Sequence, residues 1–423
     1  MSKTFRSWDV DQGWLLPPSV HELVPPTHLS HFVRDTVRQD LDLSAILGTY
    51  MEERGYPPYH PVMMTALLLY SYTQGVFSSR RISRSCEERV DFMAVTALQK
   101  PDFRTVNEFR RRHLAALGEL FVQVLKLCRR AGLVKLGHVA LDGTKIKANA
   151  SKHKAMSYAR MQQAEKELAE LVAGWLARAE AEDEAEDQEF GSDRRGDELP
   201  EWVKDKQERL RRIRAAKQAM EKEAREASEA GETGEPSPKS QRNFTDPDSR
   251  IMKTKDGFEQ AYNCQAAVDR EHQIIVAVTT TQTQNDNAEL VKLLAGIKVN
   301  TGRQAREISA DSGYCSEENL ATLARRRIRG YVATGRQRHG AHAAIDRRKK
   351  HGLRVARMKE RLARGGWNSR YRLRKQTVEP VFGQIKEALG FRRFLLRGIE
   401  KVRCEWLMVC AAFDLRKLAA ASS

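Results

Sequence analysis

The chain has 423 residues, 30% of them charged, with a net charge of +17 and a pI near 9.7. That length is too great for one compact core, so two or three units are expected, and the positive balance points to a polyanionic partner, nucleic acid before any other. Six cysteines, scattered without a Cys-x-x-Cys pair, argue against a zinc ribbon or a disulfide framework and suit a reducing cytosol. The first residues lack the apolar core of a signal peptide. The longest apolar run, residues 62–72, is too short to span a bilayer and reads as a buried helix.

In chain order, residues 1–27 are Pro-rich and expected to be extended. Residues 28–134 carry helical periodicity almost throughout. Phe109, Leu114, Leu117, Leu120, Phe121, Val124 and Leu125 keep the spacing of one long amphipathic helix whose basic beginning is residues 104–113. Arg104, Asn107, Arg110 and Arg111 there suit a major groove, arginine reading guanine and asparagine adenine. The alternative is a helix whose arginines only cover a surface.

Residues 136–149 read as a strand. Residues 151–245 read as an antiparallel helical hairpin, with Leu168, Leu171, Val172, Trp175 and Leu176 on one apolar face and Leu210, Ile213 and Met220 on another. The acidic run at 180–189 is taken as solvated. Residues 258–269 and 273–281 form a hairpin of strands. A helix at 287–297, a strand at 307–311, a helix capped by Ser316 and a short strand at 331–334 follow.

Residues 325–403 hold 25 lysines and arginines against five acidic residues, which leaves the rest of the chain slightly acidic. The run is interleaved with Tyr331, Trp367, Tyr371, Phe382, Phe391 and Phe394, so a folded, DNA-facing surface is expected. Within it Thr377 is a plausible N-cap, Pro380 would fall in the first turn, and Glu379, Phe382 and Lys386 would share one helix face.

Three isolated carboxylates stand out. Asp142 lies in Val-Ala-Leu-Asp-Gly-Thr-Lys, Asp311 in Ile-Ser-Ala-Asp-Ser-Gly-Tyr, and Glu379 in Tyr371-Arg-Leu-Arg-Lys-Gln-Thr-Val-Glu-Pro-Val-Phe-Gly-Gln-Ile-Lys386. Each has an ordinary alternative. Asp142-Gly143 is a strong two-residue hairpin turn, Asp311 a common strand-end turn residue, and Glu379 a surface helix residue. Asp246 and Asp248 read as a turn closing the insertion, with a second metal site as the less favoured option. His138 and His153 flank the first strand without an evident task.

Taken together, the three segments resemble the Asp-Asp-Glu core of bacterial insertion-sequence transposases. Tyr371, Arg374, Glu379 and Lys386 resemble the Tyr, Arg, Glu, Lys signature of one group of them, although Lys375 holds the spacing-correct position for the arginine. The resemblance implies a mixed α/β (α+β) protein with a ribonuclease H-like core. A helical N-terminal DNA-binding domain (1–134) would precede a catalytic domain (135–423), itself interrupted by a helical-hairpin insertion (151–245). It implies Asp142, Asp311 and Glu379 as ligands of two Mg²⁺ (or Mn²⁺) ions and as the catalytic set. Tyr371, Arg374 or Lys375, and Lys386 would sit near the cut phosphates. Cleavage at the element's ends, strand transfer into target DNA and a homodimer or higher assembly on DNA follow from it, in a bacterial cytoplasm near the nucleoid. A nuclease on the same fold without strand transfer, and a non-catalytic DNA-binding descendant, are the alternatives.

Overall fold

A computed structural model of the chain describes residues 19–50 apart from 21, then 58–190, 201–228, 234–254, 257–335 and 352–422. The expected extended segment lies largely outside these residues, as does part of the basic run. The chain begins with helices: α1 (Leu29–Gln39), α2 (Ser44–Leu47), α3 (Pro61–Thr73), α4 (Ser79–Glu88), α5 (Val90–Thr96), α6 (Phe103–Arg112) and α7 (Leu114–Arg130). Proline opens α3, where a missing N–H costs nothing, and the helix is apolar on every side. A helix of that kind belongs inside, and α3 is buried almost from end to end.

The single long helix expected after residue 104 is two. Asp102 caps α6 by accepting from the Thr105 N–H at 2.6 Å. His113 then leaves helical geometry and packs its ring on Tyr50 and Phe109. The apolar spacing continues across this break because Leu117 N–H still donates to the His113 carbonyl, so periodicity alone hides the joint.

The sheet starts with β1 (His138–Lys147). The insertion follows: β2 (Ala155–Ser157), α8 (Tyr158–Phe190), α9 (Glu201–Ser228) and β3 (Gln241–Asn243). Strands β2 and β3 pair at its root, and Tyr158, Met161, Leu168, Leu210, Ile213 and Met220 give α8 and α9 a core of their own. Leu171 and Leu176, expected on that face, are instead exposed. The main sheet resumes with β4 (Arg250–Thr254), β5 (Gly257–Asp269) and β6 (Ile275–Thr281). After α10 (Glu289–Thr301) come β7 (Glu307–Ala310), α11 (Glu317–Arg325) and β8 (Arg329–Val332). The last helices are α12 (Leu353–Gly365), α13 (Leu373–Gly383) and α14 (Ile399–Ser422).

Strand β1 is central, antiparallel to β5 and parallel to β7; β8 continues the parallel side and β6 the antiparallel side, with β4 sharing the outer edge of β5. The protein is thus a mixed α/β fold around a mixed sheet. Helix α14 lies against α7, α3 and β6, and one apolar core runs from the N-terminal helices through the sheet into α14. The Asp246–Asp248 turn clamps the start of α14. Asp246 Oδ1 accepts from Tyr262 Oη (2.8 Å) and Gly398 N–H (3.1 Å), and Asp248 accepts from Ile399 N–H (2.9 Å).

Three expectations for the basic segment are corrected. Helix α13 begins at Leu373, so Thr377 is buried inside it, donating to the Leu373 carbonyl, and Pro380 is well beyond the first turn. The carbonyl that Pro380 cannot serve, Gln376 O, instead accepts from Gln273 Nε2 at 3.0 Å. Glu379 and Phe382 are neighbours three apart within α13, but the helix then widens into a π turn, Gln384–Ala388, which takes Lys386 out of the α-helical register expected to align it with them. Phe382, Phe391 and Phe394 are core residues, Phe391 packing on Phe77 and Trp406, and not part of a nucleic-acid surface.

Candidate active site

Asp142-Gly143 is not a turn. Strand β1 runs straight through it, paired with β5 from Val139↔Asp269 to Lys147↔Ala261. On the other side Leu141 pairs with Ala310, the last residue of β7, so Asp311 follows directly beside Asp142. Neighbouring strands stand about 4.8 Å apart, close enough for two carboxylates to act as a pair. Beyond Asp311 the chain turns away into Ser312–Tyr314, with Asp311 Oδ1 accepting from Gly313 N–H at 2.9 Å. Among the described residues, the next backbone bridge on the β7 side of β1 is Lys147 to Arg393. An added Cβ at Gly143 would stand 2.3 Å from Gln265 Nε2, so a larger residue there would have to displace the Gln265 amide.

Burial raises the Asp142 carboxyl to about 7, against the pull of Arg374 and with the help of the neighbouring Asp311 charge. Asp311 is raised as well, by burial first and by Asp286 among the nearby charges. Arg374 answers this excess of negative charge: its guanidinium reaches Asp142 Oδ2 (2.7 Å) and Glu379 Oε1 (3.0 Å). It is 15% exposed, Asp142 16% and Glu379 42%, so the ion pair is sheltered on the Asp142 side. Between the two candidates, then, Arg374 faces the carboxylates. Lys375 points out into a cleft of about 600 Å³ with Arg270, Arg370 and Arg372. Tyr371 lies half-buried near Arg374, and Lys386 donates to the Lys145 carbonyl on β1 at 2.9 Å.

Among the described residues, no three acidic, histidine or cysteine side chains already converge on one ion position. The single positive charge of Arg374 is shared between Asp142 and Glu379, with Asp311 beside them.

A polar network beneath the pair has no signature in motif spacing. Asp286 Oδ1 accepts from Asn263 Nδ2 (2.6 Å), Gln265 Nε2 (2.6 Å) and Lys145 Nζ (3.5 Å), and Tyr314 Oη donates to Gln265 Oε1. The available signal was Asn263 and Gln265 themselves, two polar residues on one face of the otherwise largely apolar stretch 261–268. His138 is buried and bonded to Ser309 Oγ, away from this chemistry.

On α6, Arg104 and Asn107 are exposed and Arg111 is exposed but paired with Glu108 at 2.7 Å. Arg110 is corrected: it is 3% exposed and donates to the Phe77 carbonyl, which removes it from any groove-reading face.

Residues 232–415 match the family described as Transposase DDE domain, and residues 18–112 match Transposase domain (DUF772). The chain belongs to the DDE transposases of insertion sequences. No curated protein and no solved structure matches it.

Proposed function

We propose that the protein cuts DNA at the ends of its element and joins the freed 3′ ends to target DNA, with Asp142, Asp311 and Glu379 as the catalytic set. The observation that carries this is the placement of Asp142 and Asp311 on adjacent parallel strands, joined to Glu379 through Arg374. The strand order β6-β5-β1-β7-β8, antiparallel and then parallel, supports a ribonuclease H-like reading of the sheet. The matched segments support a division in which residues 1–134 engage the element's ends and 135–423 carry the chemistry, with 151–245 inserted. Arg104, Asn107 and Arg111 are the exposed polar groups α6 would offer to DNA.

The donor set suits a hard divalent ion: oxygen ligands only, with Asp142 and Asp311 side by side and their proton affinity raised chiefly by burial, which a bound cation would offset. Asp142, Asp311 and Glu379 would hold Mg²⁺ or Mn²⁺, which when bound supplies water activation and charge neutralisation at the phosphate. Arg374 would exchange its carboxylate partners for a phosphate oxygen, a planar fork being equally suited to either. Tyr371 and Lys386 would fix the same phosphate, and Lys375 the strand beyond it. Two ends handled together call for a homodimer or higher assembly on DNA, working at the nucleoid in the cytoplasm. No helix among the described residues is long and apolar enough to cross a membrane.

The test is incubation with Mg²⁺ and a plasmid carrying the element's ends, followed by sequencing of products. Nicks at both ends with 3′ ends joined to new sites are expected. Nicks without joining would indicate a nuclease, and binding without nicks a non-catalytic relative.

A further inference from the structure

A second basic cleft, of about 480 Å³, lies where the insertion leaves the sheet. Its cationic wall is Lys152, Lys154, Arg393 and Arg397, with His153 beside them; its one acid, Glu259, is already engaged by Lys147 Nζ at 3.4 Å. Among the described residues, Lys152, Lys154 and Arg393 make no ion pair with a carboxylate, and all three are exposed.

The cleft is built, not a loose surface. Lys147 N–H donates to the Arg392 carbonyl and Phe394 N–H to the Lys147 carbonyl, which fixes Arg393 beside β1. Asn149 Nδ2 donates to the Leu395 carbonyl (2.7 Å), and Arg397 Nε to the Asn149 carbonyl (2.9 Å). Asn243 Nδ2 holds the Ser151 carbonyl at 2.7 Å, setting the turn that carries Lys152 and Lys154. Like charges held together by rigid backbone repel one another, an arrangement that a polyanion relieves.

Its position is set by β1, which also carries Asp142. Asn149 lies seven residues beyond Asp142, about 23 Å at roughly 3.3 Å per residue. That is about seven base pairs of duplex at 3.4 Å each.

We infer that this cleft grips the phosphate backbone of duplex DNA about seven base pairs from the reacting phosphate, independently of base sequence. The inference rests on the transposase reading above and extends its DNA path to the root of the insertion. Contacts of this kind position the duplex without reading it.

The test is the salt dependence of binding to a 30-base-pair duplex by fluorescence anisotropy. Each phosphate neutralised adds about 0.9 to the slope of log K against log salt. The variant Lys152→Ala/Lys154→Ala/Arg393→Ala should flatten the slope by about 2–3 and keep the wild-type melting curve, since all three side chains are exposed. Lys152→Arg/Lys154→Arg/Arg393→Lys should retain the wild-type slope. A salt-sensitive wild type whose alanine variant keeps its slope would overturn the cleft and leave the transposase reading standing. Absence of duplex binding by the wild type would overturn both.

Discussion

Gly143→Ala tests whether the network under the carboxylates is as tightly fitted as the geometry indicates. Gly143 is not among the residues in left-handed backbone, so only the collision with Gln265 opposes a side chain there. The three atoms nearest the added Cβ all belong to Gln265, at 2.3, 2.9 and 3.0 Å. Moving that amide breaks its bonds to Asn263 Oδ1 (2.9 Å), Asp286 Oδ1 (2.6 Å) and the Tyr314 hydroxyl. At about 1 kcal/mol net for each bond, and more where a buried partner is left bare, the cost is about 2–4 kcal/mol. Urea denaturation followed by tryptophan fluorescence should show that loss. In a Gln265→Ala background the same substitution should cost under about 1 kcal/mol, because the colliding amide is gone. Equal costs in the two backgrounds would refute the argument.

Gln273→Ala strips the donor from the Gln376 carbonyl that Pro380 leaves open, and should destabilise by about 1 kcal/mol in the same assay; an unchanged midpoint would mean water serves that carbonyl equally well. Replacing residues 158–240 with a short glycine turn joining β2 to β3 should leave cooperative unfolding of the main core, since α8 and α9 carry a separate core; a molten product on near-ultraviolet circular dichroism would show that the two depend on each other. Burial pushes the Glu405 carboxyl up to about 7, against the Leu395 and Leu396 N–H groups and Arg110. Its folded value exceeds its unfolded one, so its contribution is fully present below about pH 4.3 and is lost as pH rises through about 7. Wild type should therefore lose roughly 2–3 kcal/mol relative to Glu405→Gln between pH 5 and 8, and a difference that does not vary with pH would contradict the assignment.

Much of the sheet was legible because local signals agreed. The β5–β6 hairpin, the buried β7 ending at a carboxylate, and α11 behind its Ser316 cap each had alternation, a turn or a cap of their own. What escaped depended on tertiary partners. The start of α13 was misplaced because Pro380 looks like a first-turn residue until Gln273, far away in sequence, is seen to serve the freed carbonyl. The aromatic residues of the basic segment marked it as folded and DNA-facing, yet Phe391 and Phe394 serve the interior, packing with Trp406 and Tyr262. Arg110 shares its helix with exposed arginines, and only the Phe77 carbonyl reveals that it points inward. The Asp-Gly step at 142 is a strong turn signal overridden by long pairing with β5. Spacing favoured Lys375 over Arg374, yet it is the Arg374 guanidinium that reaches Asp142 and Glu379, a contact only the tertiary structure reveals.

The central claim is that Asp142, Asp311 and Glu379 form one catalytic set, and the most direct measurement is Mg²⁺-dependent nicking of end-bearing plasmid by Asp142→Asn, Asp311→Asn and Glu379→Gln. Each change keeps side-chain size and removes a charge that a hard divalent ion requires. Each single variant should nick at least 10²-fold more slowly, and combining them should add little, because the three serve one site. Gel-shift on the same DNA should show binding retained or slightly tightened, since negative charge is removed beside a polyanion. Wild-type nicking rates in any one variant, with its DNA binding intact, would remove that carboxylate from the set and contradict the account.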